Sequence, residues 1–215
     1  MIQNLAPLHL ADLRKSGLKE ETILEHRIES VRPCDIPRLI GFNLPGLESI
    51  YRIPFPPFND GFERFKLFCH EGYECNDDGK KRPKYIQKRG SSNRLYIPLP
   101  MFPLLADTEK ILFITEGEKK ALAAVQAGLP CVAITGLWNW KRPGVGLDEL
   151  IEDFDKITLR GRNVRLVPDN DWRDLDRNGT PKNLEKAVSR LARCLMLRGA
   201  KVEIVILPEG GSNHE

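Results

Sequence analysis

The segment ILFITEGEKKALAAVQAGLPCVAITG, residues 111–136, contains one complete strand–helix–strand unit. ILFIT is a continuous run of β-branched, aliphatic and aromatic residues, which is typical of a strand covered on both faces. Apolar residues then recur at helical spacing over 117–127, and Gly128 is a natural helix stop. A second apolar strand is predicted over 131–135. This unit places Glu116 at the carboxyl end of its first strand, the edge at which open parallel sheets bind ligands.

The rest of the C-terminal half continues this alternation of strands and helices. Further strands are predicted over 163–167 and 201–207, with helices around 147–155 and over 182–198. Four strands that alternate with three helices indicate a parallel α/β sheet flanked by helices. Residues 105–215 are therefore predicted to form one α/β domain.

The chain before residue 105 has a different character. Residues 1–40 carry leucines at helical spacing. Residues 41–100 are rich in Pro and Gly and contain the short strand-like runs YRIPF, RFKLFC and RLYIPL. We predict an N-terminal module over residues 1–104 that is helical at its start and rich in β-structure thereafter.

The composition is that of an ordinary globular protein. The 215 residues are 41% hydrophobic and 29% charged, with a formal net charge of +3, too slight to indicate a polyanionic partner by itself. Five cysteines at irregular spacing predict reduced thiols and a cytoplasmic location. The N-terminal segment lacks a signal-peptide core, and no apolar run approaches the ~20 residues of a membrane span. We expect a soluble chain with no membrane partner.

A second acidic motif follows the strand predicted at 163–167. The run NVRLVPDND ends in Asp169, Asn170 and Asp171, and aspartates separated by one residue point the same way along an extended chain. Because the carboxyl ends of parallel strands meet at one edge, Glu116 is expected near both aspartates. Oxygen donors of this kind suit Mg²⁺ or Mn²⁺, which support phosphoryl and nucleotidyl transfer. The alternative is that these are ordinary turn residues, since turns favour Asp and Asn.

The pair ITEGEKKAL and LVPDND, about fifty residues apart, resembles the two motifs of a Toprim domain. This is the catalytic fold of bacterial-type primases, type IA and II topoisomerases and certain nucleases, and the resemblance covers roughly residues 105–210. It implies a Rossmannoid parallel sheet in which Glu116 is the catalytic acid or base. It also implies that Asp169 and Asp171, with Glu116, hold Mg²⁺ or Mn²⁺. Pro168 departs from the family's pattern, in which a further strand residue usually precedes the first aspartate.

A finer likeness extends over nearly the whole chain. RIPF, KYIQKRGSSNRLYIP and GLWNW resemble a Toprim-containing family of phage, plasmid and integrative-element proteins, often fused to helicases. The likeness implies primase-like primer synthesis in the DNA replication of a mobile genetic element. The implied partners are a single-stranded DNA template, NTPs and a helicase domain or protein. Two alternatives stay open: a Toprim nuclease that uses the same site, and a non-catalytic DNA-binding or helicase-recruiting module.

Two groups of basic residues are candidates for contacts to phosphate. GEKKA places Gly117, Lys119 and Lys120 at a predicted helix N-terminus, where they could hold a phosphate of an NTP or of DNA. The longer run Gly79–Tyr96 interleaves basic residues with tyrosines, which suits a single-stranded nucleic acid, although a solvated loop is the alternative. Its basic residues are Lys80, Lys81, Arg82, Lys84, Lys88, Arg89 and Arg94.

Two further motifs have two interpretations each. DLDRNGTPKNLE, residues 174–185, fits the EF-hand calcium-loop pattern at every required position. A strand and a proline precede it where an EF-hand has a helix, so a polar hairpin is favoured and cation binding stays open. GLWNW, residues 136–140, predicts a packing turn or base stacking by Trp138 or Trp140.

Overall fold

The computed structural model describes the chain over the ranges 4–73, 82–144, 148–169 and 184–208. The chain divides into two compact units, Met1–Ser92 and Asn93–Glu215. The boundary expected after residue 104 differs from this division by the segment 93–104. Leu95, Ile97 and Met101 of that segment are buried in the hydrophobic core of the second unit.

The first unit is built on a four-stranded antiparallel sheet whose strands are neighbours in chain order. These strands are β1 (Glu29–Ser30), β2 (Leu47–Pro54), β3 (Glu63–Cys69) and β4 (Tyr85–Gln87). The helices α1 (Pro7–Lys15), α2 (Glu20–Glu25) and α3 (Ile36–Ile40) belong to the same unit. A helical and β-rich N-terminal module is thus confirmed.

Alternation along the strands gives this sheet two different faces. On one face Phe65 and Leu67 of β3 pack with Ile50 of β2 against Ile36 and Ile40 of α3. Cross-strand apolar contacts of this kind are what stabilise a small sheet. The first unit therefore has a hydrophobic core of its own.

On the other face, a buried histidine links α1 to the strands. His9 Nδ1 lies 2.7 Å from Ser30 Oγ and His9 Nε2 lies 2.9 Å from Ser49 Oγ. The rings of Tyr51 and Phe68 pack around the imidazole, with centroid distances of 5.5 and 4.7 Å. Burial lowers the pKa of His9 below its ordinary value, so the neutral imidazole donates one of these hydrogen bonds and accepts the other.

The second unit is a four-stranded parallel sheet with the order β6-β5-β7-β8. Its strands are β5 (Leu112–Glu116), β6 (Cys131–Ile134), β7 (Asn163–Val167) and β8 (Lys201–Ile204), and its helices are α4 (Glu118–Gln126) and α5 (Leu184–Leu197). The predicted parallel α/β architecture is confirmed. The end of α4 is also as predicted, because Gly128, at a φ of +84°, closes the helix in a conformation that favours glycine.

Two local predictions in this unit are wrong. The segment expected to be helical around 147–155 contains only a 3₁₀ helix, Glu152–Lys156, within its described part. The strand-like run RLYIPL forms no strand; Tyr96 makes a single antiparallel bridge with Ala133 of β6. Both segments are held by contacts to residues distant in the sequence, which local periodicity does not reveal.

A buried arginine binds the backbone of the segment that precedes β5. Arg162 is fully buried directly before β7, and its guanidinium donates to three backbone carbonyl oxygens. Nε donates to Lys110 at 3.0 Å, Nη1 to Leu105 at 3.0 Å and Nη2 to Leu104 at 3.1 Å. This arginine ties the segment that leads into β5 to the start of β7.

The cysteines in the described part of the chain, namely Cys34, Cys69, Cys131 and Cys194, are free thiols, as the irregular spacing predicts. Among the helices in the described ranges, none has the length and hydropathy that crossing a bilayer requires.

Candidate active site

The strand order creates a topological switch point at the carboxyl edge of the parallel sheet. From β5 the chain crosses to β6 on one side, and β7 later pairs on the other side of β5. Open parallel sheets bind ligands in the crevice where the order reverses in this way. Glu116 is the last residue of β5, and Asp169 follows shortly after β7 ends at Val167. The structure therefore places these two predicted site residues at the carboxyl ends of adjacent strands, on one edge of the sheet.

Thr115 connects the two strands directly below the carboxylates. Thr115 and Val167 are register partners, and Thr115 Oγ1 donates to the Val167 carbonyl oxygen at 3.2 Å. Pro168, the departure from the Toprim pattern, is buried and lines a crevice of about 10 Å³ with Glu116 and Leu137. A space of that size holds no more than about one water molecule. A ligand larger than water would lie on the edge of the sheet rather than inside this crevice.

The donor set fits a divalent ion in its chemistry. Glu116 is half-buried and Asp169 is 39% exposed, so both carboxylates can be reached from solvent. Carboxylate oxygens are the ligands that Mg²⁺ and Mn²⁺ prefer. Within the described ranges, no group of three His, Cys, Asp or Glu side chains is placed to hold a metal ion. The third predicted ligand, Asp171, lies outside those ranges.

A lysine supplies a cation to one of these carboxylates. The Lys120 ammonium, on the first turn of α4, pairs with Asp169 Oδ1. The two side chains are 52% and 39% exposed, so the pair is a surface ion pair. Lys119, the other predicted phosphate ligand, is half-buried on the same turn. Asp169 thus takes a positively charged partner at the edge where the sequence predicts a metal ion.

Gly117 forms the corner between β5 and α4. Its φ of +91° and ψ of 139° lie close to a region of backbone conformation that is nearly confined to glycine. Its N–H donates to the Ile134 carbonyl oxygen at 2.9 Å, so this donor is engaged in the sheet instead of facing a phosphate. The contribution of Gly117 is conformational, because it turns the chain so that α4 begins at the edge.

Glu118 is a candidate functional residue that sequence reasoning does not identify. Its side chain is only 1% exposed although it stands in the first turn of α4. Acidic residues are common in first helical turns because they interact favourably with the helix dipole, so the sequence carries no sign of this burial. The edge therefore has a second glutamate close in sequence to Glu116, with its carboxylate inside the protein.

The family follows from a match over this same half of the chain. Residues 102–213 match the model of a family described as a domain of unknown function, DUF3854. The protein belongs to the DUF3854 family. The DUF3854 segment includes the whole parallel sheet, and therefore both Glu116 and Asp169.

One related sequence comes from a bacteriophage. The Gene 57 protein of Mycobacterium phage D29 is 28% identical to this DUF3854 protein over 138 residues. The aligned region covers 64% of this chain and 78% of the phage protein.

The fold is that of primase catalytic cores. The zinc-binding and RNA polymerase domains of Aquifex aeolicus primase match with a TM-score of 0.59 and 15% identity, over 95% of this chain and 51% of that one. The DnaG catalytic core matches at 0.57 and 19%, over 97% and 67%. The DnaG primase catalytic domain bound to single-stranded DNA matches at 0.56 and 18%, over 97% and 68%. This DUF3854 protein spans about half the length of the Aquifex structure.

The predicted nucleic-acid-binding residues separate into exposed and engaged side chains. Lys84, Lys88 and Arg89 are exposed. The Arg82 guanidinium donates to the Pro45 carbonyl oxygen, and Arg94 Nε donates to Asp153 Oδ2 at 2.7 Å. Lys80 and Lys81 lie outside the described residues. Among the described members of the cluster, Lys84, Lys88 and Arg89 are therefore the exposed ones.

The two tyrosines of the basic run are less accessible than base stacking would require. Tyr96, which the sequence places among the basic residues as a possible stacking ring, is fully buried in the second unit. Tyr85 is half-buried in the first unit, where the Lys66 ammonium lies 5.0 Å from its ring centroid. The EF-hand-like loop over 174–185 lies outside the described ranges except for its last two residues, so its cation binding stays a prediction.

Proposed function

We propose that this protein is a metal-dependent nucleotidyltransferase of the primase type, acting on single-stranded DNA in the replication of a phage or another mobile element. One observation carries the proposal above all. Glu116 and Asp169 stand at the carboxyl ends of two adjacent strands, at the switch point of a sheet whose fold is that of primase catalytic cores. The phage relative supports the mobile-element context.

The carboxylates have distinct roles in this proposal. Asp169 and Asp171, with Glu116, would hold Mg²⁺ or Mn²⁺, which would stabilise the negative charge that develops on the phosphate during transfer. Glu116 also accepts the proton of the attacking 3′-hydroxyl group. The hydroxyl oxygen forms a bond to the α-phosphorus of an NTP, the bond to the leaving oxygen breaks, and pyrophosphate departs. Half-burial of Glu116 suits a residue that must contact both metal and substrate.

The lysines of α4 complete the site by binding phosphate. Lysine is a compact charge on a flexible stem, so the ammonium of Lys120 can exchange Asp169 for a phosphate oxygen without movement of the helix. Lys119 lies on the same turn. We assign both residues to the triphosphate of the incoming nucleotide or to the DNA backbone.

The template contact is assigned to the exposed basic residues of the first unit. Lys84, Lys88 and Arg89 are exposed, and contacts to phosphate supply most of the affinity for single-stranded nucleic acid. One of the similar structures is a primase catalytic domain bound to single-stranded DNA. NTPs are the second substrate in this proposal, and a helicase domain or protein is the associated partner.

The deciding experiment incubates the full chain with NTPs, single-stranded DNA and Mg²⁺ or Mn²⁺, and separates the products by length. We expect labelled product to grow in the wild type and to fall by at least about 100-fold in Glu116→Gln and Asp169→Asn, as for removal of one main electrostatic group in a site. The matched control is Glu109→Gln, which removes an exposed carboxylate before the amino end of β5.

The other outcomes identify the alternatives. A template that shortens without product growth, in a manner that depends on Glu116, identifies a nuclease and rejects the primase. A protein that does neither, and whose DNA affinity is the same in Glu116→Gln, is a non-catalytic binding module.

A further inference from the structure

The turn that follows β6 presents an exposed indole ring. β6 ends at Ile134, which is the register partner of Glu116, and Trp138 stands in the next turn at the same carboxyl edge. Trp138 is 38% exposed, whereas Trp140 is fully buried in the core. Trp140 therefore accounts for the packing of this turn, and Trp138 keeps part of its indole ring accessible to solvent.

The turn is held firmly, so the exposure of Trp138 is a fixed property of the fold. Asn139 Nδ2 donates to Thr135 Oγ1 at 3.1 Å, and Asn139 Oδ1 accepts from Asn93 Nδ2 at 3.3 Å. The Asn139 N–H donates to the Gly136 carbonyl oxygen at 2.8 Å. With Trp140 anchored in the core, the backbone is restrained on both sides of Trp138.

A guanidinium group is fixed beside this indole. The Arg190 guanidinium lies 5.7 Å from the ring centroid of Trp138, within the range of cation–π contacts. Arg190 is itself held by a bidentate ion pair to Asp148, whose carboxylate also accepts from Lys141 Nζ at 3.1 Å. Indole rings and arginine guanidinium planes are the surfaces on which unpaired nucleobases stack.

We propose that Trp138 and Arg190 form a stacking site for a nucleobase at the carboxyl edge of the sheet. The proposal rests on the proposed function for the chemistry at Glu116, and it adds where a base of the substrate is held. Stacking requires only a π-face, so the site accepts any base and gives no sequence preference. The base comes either from an incoming nucleotide or from the single strand. The two sources can be distinguished by which of these ligands binds more weakly when Trp138 is replaced.

The test measures the affinity of the full chain for an NTP and, separately, for a short oligo-dT strand, in wild type, Trp138→Ala and Trp138→Phe. We expect Trp138→Ala to weaken one of the two ligands by about 5- to 150-fold, the range for loss of one stacked base, and Trp138→Phe to retain most of the affinity. Weaker binding of the NTP would show that the incoming nucleotide supplies the stacked base. Weaker binding of the oligonucleotide would show that the single strand supplies it. Leu197→Ala, at a 77% exposed residue of α5, is the control for loss of exposed apolar surface.

Two further measurements separate stacking from charge and from misfolding. The salt dependence of oligonucleotide binding should be unchanged in Trp138→Ala, because no phosphate contact is lost, and should decrease in Lys88→Ala. Equal thermal unfolding of Trp138→Ala and wild type confirms that the fold is intact. An oligonucleotide with abasic positions should bind wild type and Trp138→Ala equally if the strand supplies the base.

The inference is overturned if Trp138→Ala binds both ligands as the wild type does, or if the wild type binds neither. The stacking site and the proposed primase activity can be rejected independently of each other. A wild type that extends primers while Trp138→Ala keeps full affinity rejects the stacking site alone. A wild type that makes no product, with a base-dependent loss of binding in Trp138→Ala, rejects the primase activity alone.

Discussion

Replacement of Lys120 by methionine is expected to tighten the binding of Mn²⁺ at the carboxyl edge of the parallel sheet. Methionine keeps much of the length of the side chain but removes the ammonium that pairs with Asp169. A divalent ion has to displace that ammonium before Asp169 can bind it. The ion pair between Lys120 and Asp169 therefore lowers the apparent affinity of the wild type for the metal ion.

The exposure of the pair determines the size of this effect. The side chains of Lys120 and Asp169 are 52% and 39% exposed, so solvent screens their attraction. Exposed pairs contribute about 0.2–1 kcal/mol, which corresponds to a change of about 1.5- to 5-fold in Kd. Repulsion between the ammonium and a bound divalent ion acts in the same direction. The expected result for Lys120→Met is therefore a Kd for Mn²⁺ lowered towards the upper end of this range.

The assay titrates Mn²⁺ into the protein alone and follows the electron paramagnetic resonance signal of free Mn²⁺, so neither nucleotide nor turnover contributes. Lys201→Met is the matched control, because Lys201 opens β8 at the opposite, amino edge of the sheet. Asp169→Asn should weaken binding. The reasoning is refuted if Lys120→Met binds Mn²⁺ no more tightly than Lys201→Met. Unchanged binding in Asp169→Asn would instead remove this residue from the metal site.

Two further predictions concern stability, and urea denaturation checks both. Arg162→Gln removes a guanidinium donor from three carbonyl groups. The carbonyls of Leu104 and Leu105 keep the backbone N–H donors of Asp107 and Thr158, so the Lys110 carbonyl loses its donor. The free energy of unfolding should therefore fall by about 1–3 kcal/mol. Arg193→Gln, at an exposed position of α5, should change it by less than about 0.5 kcal/mol, and equal urea midpoints for the two variants would contradict this. Burial lowers the pKa of His9 in the folded chain below its ordinary 6.5, so the unfolded chain binds the extra proton first as the solution is acidified. The stability of the first unit should therefore fall as the pH drops below about 6.5 and level off below the folded-state pKa of His9. His9→Gln should reduce that slope, and an unchanged slope would show that another group is responsible.

The elements around Glu116 could be predicted because their signals are local. The run ILFIT predicts a strand that is covered on both faces, and the structure has β5 there, with Leu112 and Ile114 buried. The helix that follows ends close to Gly128, which has a positive φ that favours glycine and closes the helix. A strand and a helix stop of this kind depend on neighbours within a few residues, which the sequence displays directly.

The segment around Asp153 could not be predicted because a long-range contact determines it. Burial alone would raise the pKa of the Asp153 carboxyl, but hydrogen bonds from Arg94, Lys156 and the Leu95 N–H lower it below its ordinary value. These bonds hold a charged side chain inside the second unit. The apolar spacing around 147–155 resembles that of a helix, yet the segment forms a short 3₁₀ helix, in which Asp153 is bound by the distant residues Arg94 and Leu95.

Neighbouring residues of one type can also have opposite environments. Trp138 and Trp140 belong to the same five-residue run, and the sequence offers packing or base stacking for either. The structure buries Trp140 completely and leaves Trp138 38% exposed. Which indole enters the core depends on how the turn is held by Asn139, Thr135 and Asn93, and Asn93 lies far away in the sequence.

The site itself depends on the order of the strands, which no local pattern displays. In the observed order, β5 lies between β6 and β7, so Glu116 and Asp169 stand at the carboxyl ends of adjacent strands. If β6 lay between β5 and β7, the two carboxyl-bearing strands would be about 10 Å apart, twice the usual spacing of neighbouring strands. Glu116 and Asp169 would then have to extend past the end of β6 to bind one Mg²⁺. The metal chemistry proposed for this protein therefore depends on the crossover that places β7 beside β5, where the two carboxylates can converge without that extension.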